Sequence, residues 1–256
     1  MHRPSIRICE TSLEASLLVA TEVASEVQLL VTTQGSAVLG LPTGATPVAI
    51  YREWCRMHRE EGMDWRKTHT FNLDEYWPLS KSSEHSYHRF MEEQLFIPAR
   101  FDFRRTHIPS GMVSRDQTPQ HCEGYEKAIE EAGGIDIQIL GVGINGHLGF
   151  NEPGSSRESR TRLVELSEST RNRAQPEFGG TEAPRFGITM GLGTILKSSK
   201  IYLLAFGKDK ASAMRDALEG PVQEASPCSL LREHPCVEWV LDKPAALELG
   251  LPKELQ

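Results

Sequence analysis

Residues 141–154, GVGINGHLGFNEPG, place proton-exchanging side chains among glycines. Asn145, His147 and Glu152 lie within eight positions of one another, after an apolar stretch of strand length. An imidazole titrates near neutral pH, and a carboxylate five positions further along suits proton shuttling. A lone histidine of this kind is usually a hydrogen-bonded turn residue, but polar crowding in such a loop is hard to explain by packing. The segment therefore predicts an acid–base site.

The same segment contains a glycine pattern that dinucleotide-binding loops also use. Gly141, Gly143 and Gly146 spell GxGxxG, and Glu165 lies near the distance of a ribose-binding acid. That loop needs a helix beginning at Gly146, whereas HLGFNEPGSS holds several helix breakers and no helical period. We therefore predict no dinucleotide and no other cofactor.

A second loop with chemical potential follows the strand SAVLGL and reads Thr43-Gly44-Ala45-Thr46. It leads into a helix that Pro47 opens, so backbone N–H groups and the helix dipole could bind an anion there. A well-capped strand-to-helix turn explains the pattern equally well, because the phosphate-loop signature GxxxxGK[ST] is absent.

Asp74 and Glu75 stand where the predicted strand HTFNLDEY ends. Neighbouring strand residues point to opposite sides, so only one of the two carboxylates should face a crevice. Burial would raise its pKa and suit it to general-base catalysis. A solvated acidic turn is the simpler explanation when this pair is taken alone.

Other candidate groups carry less information. His85 and His88 lie three apart on a predicted helix, but no second pair completes a metal site, so we predict solvated histidines and no metal. The serine-hydrolase signature GxSxG is absent. Cations that could attract an anionic substrate are available downstream, in Arg160, Arg162, Arg171, Arg173 and Lys210.

The elements that must position these loops alternate between helix and strand. Predicted helices cover residues 11–31, the segment from Pro47, residues 84–96, residues 118–132 and DKASAMRDALEG. The evidence for the first helix is apolar residues that recur at helical spacing, namely Leu13, Leu17, Ala20, Ala24 and Val27. Predicted strands are SAVLGL, HTFNLDEY, IDIQILGVG, TRLVEL, KIYLLAFG and CVEWVLD. This order implies an α/β fold with a mostly parallel sheet and helices on both faces, which binds ligands beyond the carboxyl ends of its strands.

Bulk composition narrows the function classes. The 256 residues are 39% hydrophobic and 25% charged, which fits one globular domain over residues 1–256. The net charge of −7 disfavours binding to nucleic acid or an anionic membrane, and an uninterrupted run of about 18 apolar residues is absent, so we expect a cytoplasmic protein. The odd set of five cysteines lacks a CxxC pair, which argues against disulfides and zinc.

Four motifs in order resemble the glucosamine-6-phosphate deaminase (isomerase) family: LGLPTGATP, TFNLDEY, SYHRFM and GVGINGHLGFNEPGS. The likeness extends from about residue 10 to about residue 248. It implies a single Rossmann-like domain that converts glucosamine 6-phosphate and water to fructose 6-phosphate and ammonia. The expected partner is a small amino sugar phosphate; a homo-oligomer is compatible with the sequence.

The resemblance also implies roles for individual residues. Asp74 corresponds to the base that carries a proton between C2 and C1, His147 to the group that opens the sugar ring, and Glu152 to the residue that orients His147. Contacts to the substrate and its phosphate are expected from Thr43, Gly44, Ala45, Thr46, Gly146 and Lys210.

Departures from the family pattern lead to further expectations. Asn145 stands where some members carry Asp, so we expect an altered pH dependence, because Asn cannot stabilise a protonated His147 by charge. Pro176 takes the place of a phosphate-binding arginine, for which Arg173 is the candidate substitute. Ser155, Ser156 and Arg162 resemble part of an allosteric activator site in which Val164 replaces a lysine, so we expect no such activation.

Three alternatives remain compatible with the motifs. A 6-phosphogluconolactonase shares the G-x-G-x-[DN]-G-H segment, although FNEP and NLDEY favour the deaminase. A galactosamine-6-phosphate deaminase would differ at one hydroxyl of its substrate. A non-catalytic sugar-phosphate sensor is disfavoured, because no basic helix pair that could bind DNA precedes Thr11.

Overall fold

The computed structural model describes residues 5–179 and 181–250. Its strands are β1 (Ser5–Cys9), β2 (Ala37–Leu41), β3 (Thr68–Asn72), β4 (Asp74–Trp77), β5 (Thr106–His107), β6 (Ile137–Gly141), β7 (Arg162–Glu165), β8 (Phe186–Thr189), β9 (Lys200–Ala205) and β10 (Val237–Asp242). Its α-helices are α1 (Ser12–Gln34), α2 (Val48–Glu61), α3 (Tyr87–Met91), α4 (Thr118–Glu131), α5 (Glu168–Ala174), α6 (Leu192–Ile195) and α7 (Ala211–Glu219). The ends of the predicted domain, residues 1–4 and 251–256, lie outside the described residues, as does residue 180.

Seven strands form a parallel sheet in the order β1-β10-β9-β6-β2-β3-β5. One face packs against α1 and α2 through residues such as Val19 and Trp54, and the other packs against α4 and α7 through Tyr125 and Met214. Both faces are thus shielded from water, as all-parallel sheets require. The predicted α/β class with a mostly parallel sheet is confirmed.

Helix α1 begins and ends close to where its sequence predicts, but only part of the predicted apolar stripe is buried. The Thr11 side chain accepts a hydrogen bond from the Glu14 amide, and Gly35 closes the helix in the left-handed conformation at φ 90°. Leu13 and Leu17 are 57% and 39% exposed, whereas Ala20, Ala24 and Val27 of the same helical spacing are buried. The stripe against the sheet consists of smaller side chains that permit close packing, Ala15, Val19, Ala20, Val23, Ala24 and Val27.

This helix is apolar on more than one side, which bears on the membrane prediction. Among the described residues, α1 is long and apolar enough to cross a membrane by length and composition. The core helix of a soluble protein passes the same test, and the Ala15-to-Val27 stripe is packed inside the fold. The absence of a membrane partner therefore stays a prediction.

The segment HTFNLDEY is two strands rather than the single strand predicted. The Leu73 amide donates to the Leu41 carbonyl of β2, while the Leu73 carbonyl accepts from the Met190 amide beyond β8. The chain changes partners at this residue, so β4 leaves the main sheet and pairs antiparallel with β8, which pairs with β7. This small second sheet was not predicted. Asp74 is the first residue of its strand β4.

The predicted helix 84–96 is shorter and irregular. Ser86 caps α3 by accepting from the Arg89 amide, and a wider π-type turn, Glu92–Phe96, continues the helix. Residues 84 and 85 precede the helix. His85 and His88 therefore do not share a helical face that could bind a metal.

Candidate active site

The carboxyl ends of β2, β3 and β6 and the start of β4 surround a cavity of about 700 Å³. Most of the predicted site residues line it, namely Thr43, Gly44, Ala45, Thr46, Asp74, Asn145, His147, Arg173 and Lys210. Parallel strands bring their carboxyl ends to one edge of a sheet, so loops distant in sequence meet there. A larger groove beside it, lined by Leu79 and Arg185 among others, contains neither Asp74 nor His147.

Asp74 faces this cavity from a buried position, with 5% of its surface exposed. Burial raises the pKa of its carboxyl group to about 8, and the charge of Glu75 contributes in the same direction. The carboxyl group lies near Gly149, where an added Cβ would sit 3.2 Å from Asp74 Oδ2. A carboxyl group with this pKa can both accept and return a proton near neutral pH, as the general-base prediction requires.

His147 is oriented by Asn145, and Glu152 acts on it through that amide. Asn145 Oδ1 accepts from the His147 backbone amide at 3.3 Å and lies 2.7 Å from His147 Nδ1, while Asn145 Nδ2 donates to Glu152 Oε2 at 2.9 Å. The direct distance from Glu152 Oε2 to His147 Nδ1 is 3.7 Å. Glu152 therefore acts on His147 with the amide between them, and its role in orienting His147 stays a prediction.

This bridge also fixes the tautomer of the imidazole. An ionised carboxylate only accepts hydrogen bonds, so the amide nitrogen of Asn145 must face Glu152 and its oxygen must face His147. His147 Nδ1 consequently carries a proton, and Nε2 keeps its lone pair when the ring is neutral. Burial lowers the pKa of His147, Glu152 raises it, and Lys210 and Arg173 lower it further. The net shift is downward, so the neutral ring is favoured at pH 7.

Glu152 is itself held by hydroxyl groups from the start of α5. Its Oε1 accepts from Ser167 Oγ at 2.8 Å and from Thr170 Oγ1. Burial raises the pKa of Glu152, but the hydrogen bonds from Thr170, Asn145 and Ser167 outweigh it, together with the charge of His147 when that ring is protonated, and the pKa is lowered. The carboxylate therefore stays ionised, which keeps the amide of Asn145 in its bridging orientation.

Another part of the cavity lining, here called the anion-binding end, has groups that suit an anion. Helix α2 begins after Pro47 without a side-chain cap. The Val48 amide donates to the Ala45 carbonyl at 3.4 Å, so the N–H groups of the first turn that follow Val48 are the ones available to an anion beside the Thr43–Thr46 loop. Lys210 and Arg173 line the same cavity, and both approach Asp209 Oδ2, at 3.3 and 3.9 Å. Burial lowers the pKa of Lys210, which makes an anionic ligand a favourable partner for it.

Two predicted residues do not line the cavity. Glu152 lies behind Asn145, as described above. Gly146 turns away at φ 80°, and its carbonyl accepts from the Cys228 amide, so the structure gives it a role in shaping the loop. Pro176 lies outside the lining as well, whereas Arg173, its candidate substitute, is part of it.

The predicted remnant of an activator site lies away from the cavity. Arg162 donates to Asn151 Oδ1 at 2.9 Å and to Ser155 Oγ at 3.3 Å, and burial lowers the pKa of its guanidinium. Ser156 accepts instead from the Glu158 amide. These contacts tie Arg162 to its own protein neighbours; the expected lack of activation stays a prediction.

Several residues at the site escaped prediction. Tyr87 lines the cavity and hydrogen-bonds to Thr43, and burial raises the pKa of its phenol. His85 lines the cavity too, with its ring 4.5 Å from that of Phe178. His88 contacts the buried carboxylate of Glu75, so the prediction that both histidines are solvated is wrong. In the sequence, the motif SYHRFM was the one signal for this region, through the family resemblance. The spacing of its residues does not indicate a chemical role.

Comparison with known proteins places this geometry in a family. Residues 10–239 match the family described as glucosamine-6-phosphate isomerases/6-phosphogluconolactonase. The glucosamine-6-phosphate deaminase of Halothermothrix orenii is 42% identical over 93% of this chain and 95% of its own length. Glucosamine-6-phosphate deaminase 2 of Bacillus subtilis is 47% identical over 83% and 86%.

Solved structures give the same result for the fold. One described as a monomeric glucosamine-6-phosphate deaminase superposes with a TM-score of 0.90 at 39% identity, covering 96% of this chain and 100% of that one. A 6-phosphogluconolactonase from Trypanosoma brucei has a TM-score of 0.78 at 20% identity over 98% of this chain and all of that one. At that identity the lactonase supports the shared fold alone.

Proposed function

The chain belongs to the glucosamine-6-phosphate isomerase/6-phosphogluconolactonase family, and we propose that it converts glucosamine 6-phosphate and water to fructose 6-phosphate and ammonia. The observation that carries the proposal is the pairing of Asp74 with His147 in one cavity that also has an anion-binding end. Water is consumed and ammonia released, so we class the overall reaction as a hydrolytic deamination that proceeds through an isomerisation.

Ring opening is the first step that this geometry supports. A pyranose opens when the C1 hydroxyl loses a proton and the ring oxygen gains one. His147 Nε2 has a free lone pair in the favoured neutral ring, so it can accept the first proton and deliver it to the ring oxygen. The downward pKa shift of His147 suits this role better than the role of an acid that is already protonated when the substrate binds. The substrate itself then supplies the proton that the ring oxygen receives.

Isomerisation follows on the open chain. Asp74 in its ionised form removes the proton from C2 and returns it to C1. The aldehyde oxygen gains a proton and the amino nitrogen loses one, so the C1 carbonyl becomes a hydroxyl and an imine is left at C2. Water hydrolyses that imine to the ketone and ammonia. A carboxyl group with a pKa of about 8 is a stronger base than an exposed aspartate, and it holds the proton long enough to return it.

The phosphate group would occupy the Thr43–Thr46 loop, with Lys210 and Arg173 beside it. The loop supplies backbone donors and two hydroxyl groups, while the two side chains supply charge. Arg173 is 52% exposed before substrate is bound, so a cation is available at this end of the cavity to take the place of the arginine that Pro176 replaces.

Ammonia release tests the proposal directly. We would measure it from glucosamine 6-phosphate and from galactosamine 6-phosphate, and in parallel follow hydrolysis of 6-phosphogluconolactone. We expect ammonia from glucosamine 6-phosphate and a loss of about a hundredfold or more in Asp74→Asn and His147→Gln, as for removed acid–base groups. Ammonia from neither sugar, or faster turnover of the lactone, contradicts the proposal.

Matched variants separate chemistry from folding. Asp136 is a partly buried aspartate at the amino end of β6, where it accepts from the Val38 amide at 2.8 Å. His121 is a half-buried histidine whose ring accepts from the Ser110 amide at 2.9 Å. Asp136→Asn and His121→Gln should keep turnover within about threefold of wild type, since neither group lines the cavity.

A further inference from the structure

Glu75 is a buried carboxylate behind the cavity that the proposed mechanism does not use. It is 1% exposed and follows Asp74 in β4, so its side chain points to the opposite side of the strand. It accepts from the backbone amides of Tyr76, Tyr87 and His88 at 2.9, 3.1 and 3.1 Å, and His88 Nδ1 lies 3.2 Å from Oε2. Four donors fill the hydrogen-bonding capacity of an ionised carboxyl group.

Two of those donors are backbone amides at the start of α3, which links Glu75 to the anion end of the cavity. Tyr87 is the first residue of α3, lines the cavity and hydrogen-bonds to Thr43. Its ring also packs against that of Tyr76, with centroids 4.9 Å apart. A continuous chain of contacts therefore runs from Thr43 through Tyr87 to Glu75, and from there along the backbone to Asp74.

We infer that Glu75 is a positioning residue for the proposed reaction, holding Tyr87 against the Thr43–Thr46 loop while its charge acts on the neighbouring Asp74. The inference rests on the proposed function. Buried carboxylates that only support a fold occur elsewhere in the chain, but Glu75 differs from them because it is the chain neighbour of Asp74 and accepts from the amide of Tyr87, which contacts Thr43.

The groups that face Asp74 determine how the charge of Glu75 affects its pKa. Glu75 is the charged neighbour on the same strand, and it raises the pKa of Asp74 in addition to burial. Tyr87 of α3 and Tyr125 of α4 face Asp74 as phenols whose pKa values are raised, so they add no charge near neutral pH. Across the cavity stand His147, Lys210 and Arg173. Removing the charge of Glu75 must therefore lower the pKa of Asp74.

Glu75→Gln is the decisive variant because it is nearly the same size and removes the charge. Asp74 must be ionised to act as a base, so a lower pKa moves the acid limb of the kcat and kcat/KM profiles to lower pH. We expect a shift of about one pH unit, the order that one nearby like charge produces. The ionisations of the substrate are common to all variants, so a difference between variants belongs to the protein.

Glu126→Gln is the matched control. Glu126 is 5% exposed and accepts from the Thr161 amide at 2.6 Å and from the hydroxyls of Thr161 and Thr194, but it does not line the cavity. It should lose thermal stability without moving the acid limb. A Glu75→Gln profile that coincides with wild type, or an equal shift in Glu126→Gln, overturns the inference.

Two further variants keep the test decisive if Glu75→Gln does not fold. Glu75→Asp retains the charge but shortens the reach to α3, so KM should rise about fivefold with the acid limb in place. His88→Asn removes only the ring contact and should raise KM about threefold. An unchanged KM in both overturns the positioning role. Wild type that releases no ammonia would instead refute the proposed function, and the two failures are thus distinguishable.

Discussion

The two acid–base groups of the cavity lie in regions that hold them by different means. Asp74 opens a strand, and its backbone is fixed by pairing with β8. His147 lies in a glycine-rich loop and is fixed by the side chains of Asn145 and Glu152. Burial acts on both, raising the pKa of Asp74 and lowering that of His147, because it disfavours the charged form of either group. The same desolvation thus makes one residue a stronger base and keeps the other neutral.

The loop should be the more fragile of the two regions. A Cβ at Gly143 would lie 2.2 to 2.4 Å from ring atoms of His147, so Gly143→Ala must displace the imidazole. We expect ammonia release to fall about a hundredfold, similar to removal of the group itself. Gly124→Ala in α4 is the control, since no atom of the described residues lies within 4 Å of an added Cβ there, and it should leave the rate unchanged. Equal rates in both variants would mean that His147 needs no fixed orientation.

At the strand end, the raised pKa of Asp74 should be measurable as a pH dependence of the free energy of unfolding. Between pH 4 and pH 8, folded Asp74 holds a proton that its unfolded counterpart has lost, so the free energy of unfolding falls as pH rises through this window. Asp74→Asn removes that cost, and at pH 8 it should be more stable than wild type by about 2 to 5 kcal/mol. Chemical denaturation at several pH values measures the difference.

Asp64→Asn is the control, and we expect it to change the free energy of unfolding in the opposite direction. Arg66 lowers the pKa of the exposed Asp64 to about 2, so its stabilising contribution is already complete above pH 4. Asp64→Asn should be less stable than wild type by an amount that does not change between pH 5 and pH 8. If the difference in the free energy of unfolding between Asp74→Asn and wild type were also the same at every pH, the carboxyl group of Asp74 would not be desolvated in solution.

Asn145→Asp tests whether neutrality of the bridge matters to His147. An added negative charge at hydrogen-bond distance from Nδ1 raises the pKa of the imidazole. The aspartate loses the donor to Glu152 but keeps an acceptor oxygen for His147, so we expect the pH optimum to move by about one unit and the maximal rate to change less than tenfold. Asn151→Asp would add charge to the same loop but away from the cavity, beside Arg162. It loses the hydrogen bonds to the Leu148 and Met190 carbonyls, so it should lower thermal stability without moving the optimum. Coinciding profiles for Asn145→Asp and wild type would contradict this account.

Ser167→Ala tests the outermost layer of the His147 network. Ser167 donates one of the hydrogen bonds to Glu152 Oε1, and Thr170 remains to donate the other. One such bond contributes about 1 kcal/mol, so kcat should fall by no more than about fivefold. A larger loss, with Ser169→Ala unaffected, would place Ser167 closer to the chemistry than these contacts indicate.

Most residues of the cavity were predictable because each follows a strand in sequence. Asp74, His147 and the Thr43–Thr46 loop come after β3, β6 and β2, and the carboxyl ends of parallel strands necessarily share one edge of the sheet. Family resemblance then assigned roles to Asp74 and His147 that composition and spacing had left open. The exposed Leu13 and Leu17 show the limit of periodicity, since it locates a helix without saying which stripe meets the sheet.

The sequence by itself determined the alternation of strands and helices and the chemical types gathered at the strand ends, since both depend on local pattern. Only the tertiary structure decided that β3 and β4 separate at Leu73, that Asn145 stands between His147 and Glu152, and that Glu75 joins Asp74 to α3. Each of these depends on which side chain fills a given space, and on burial that shifts pKa values. Such contacts join residues whose orientation no spacing rule fixes.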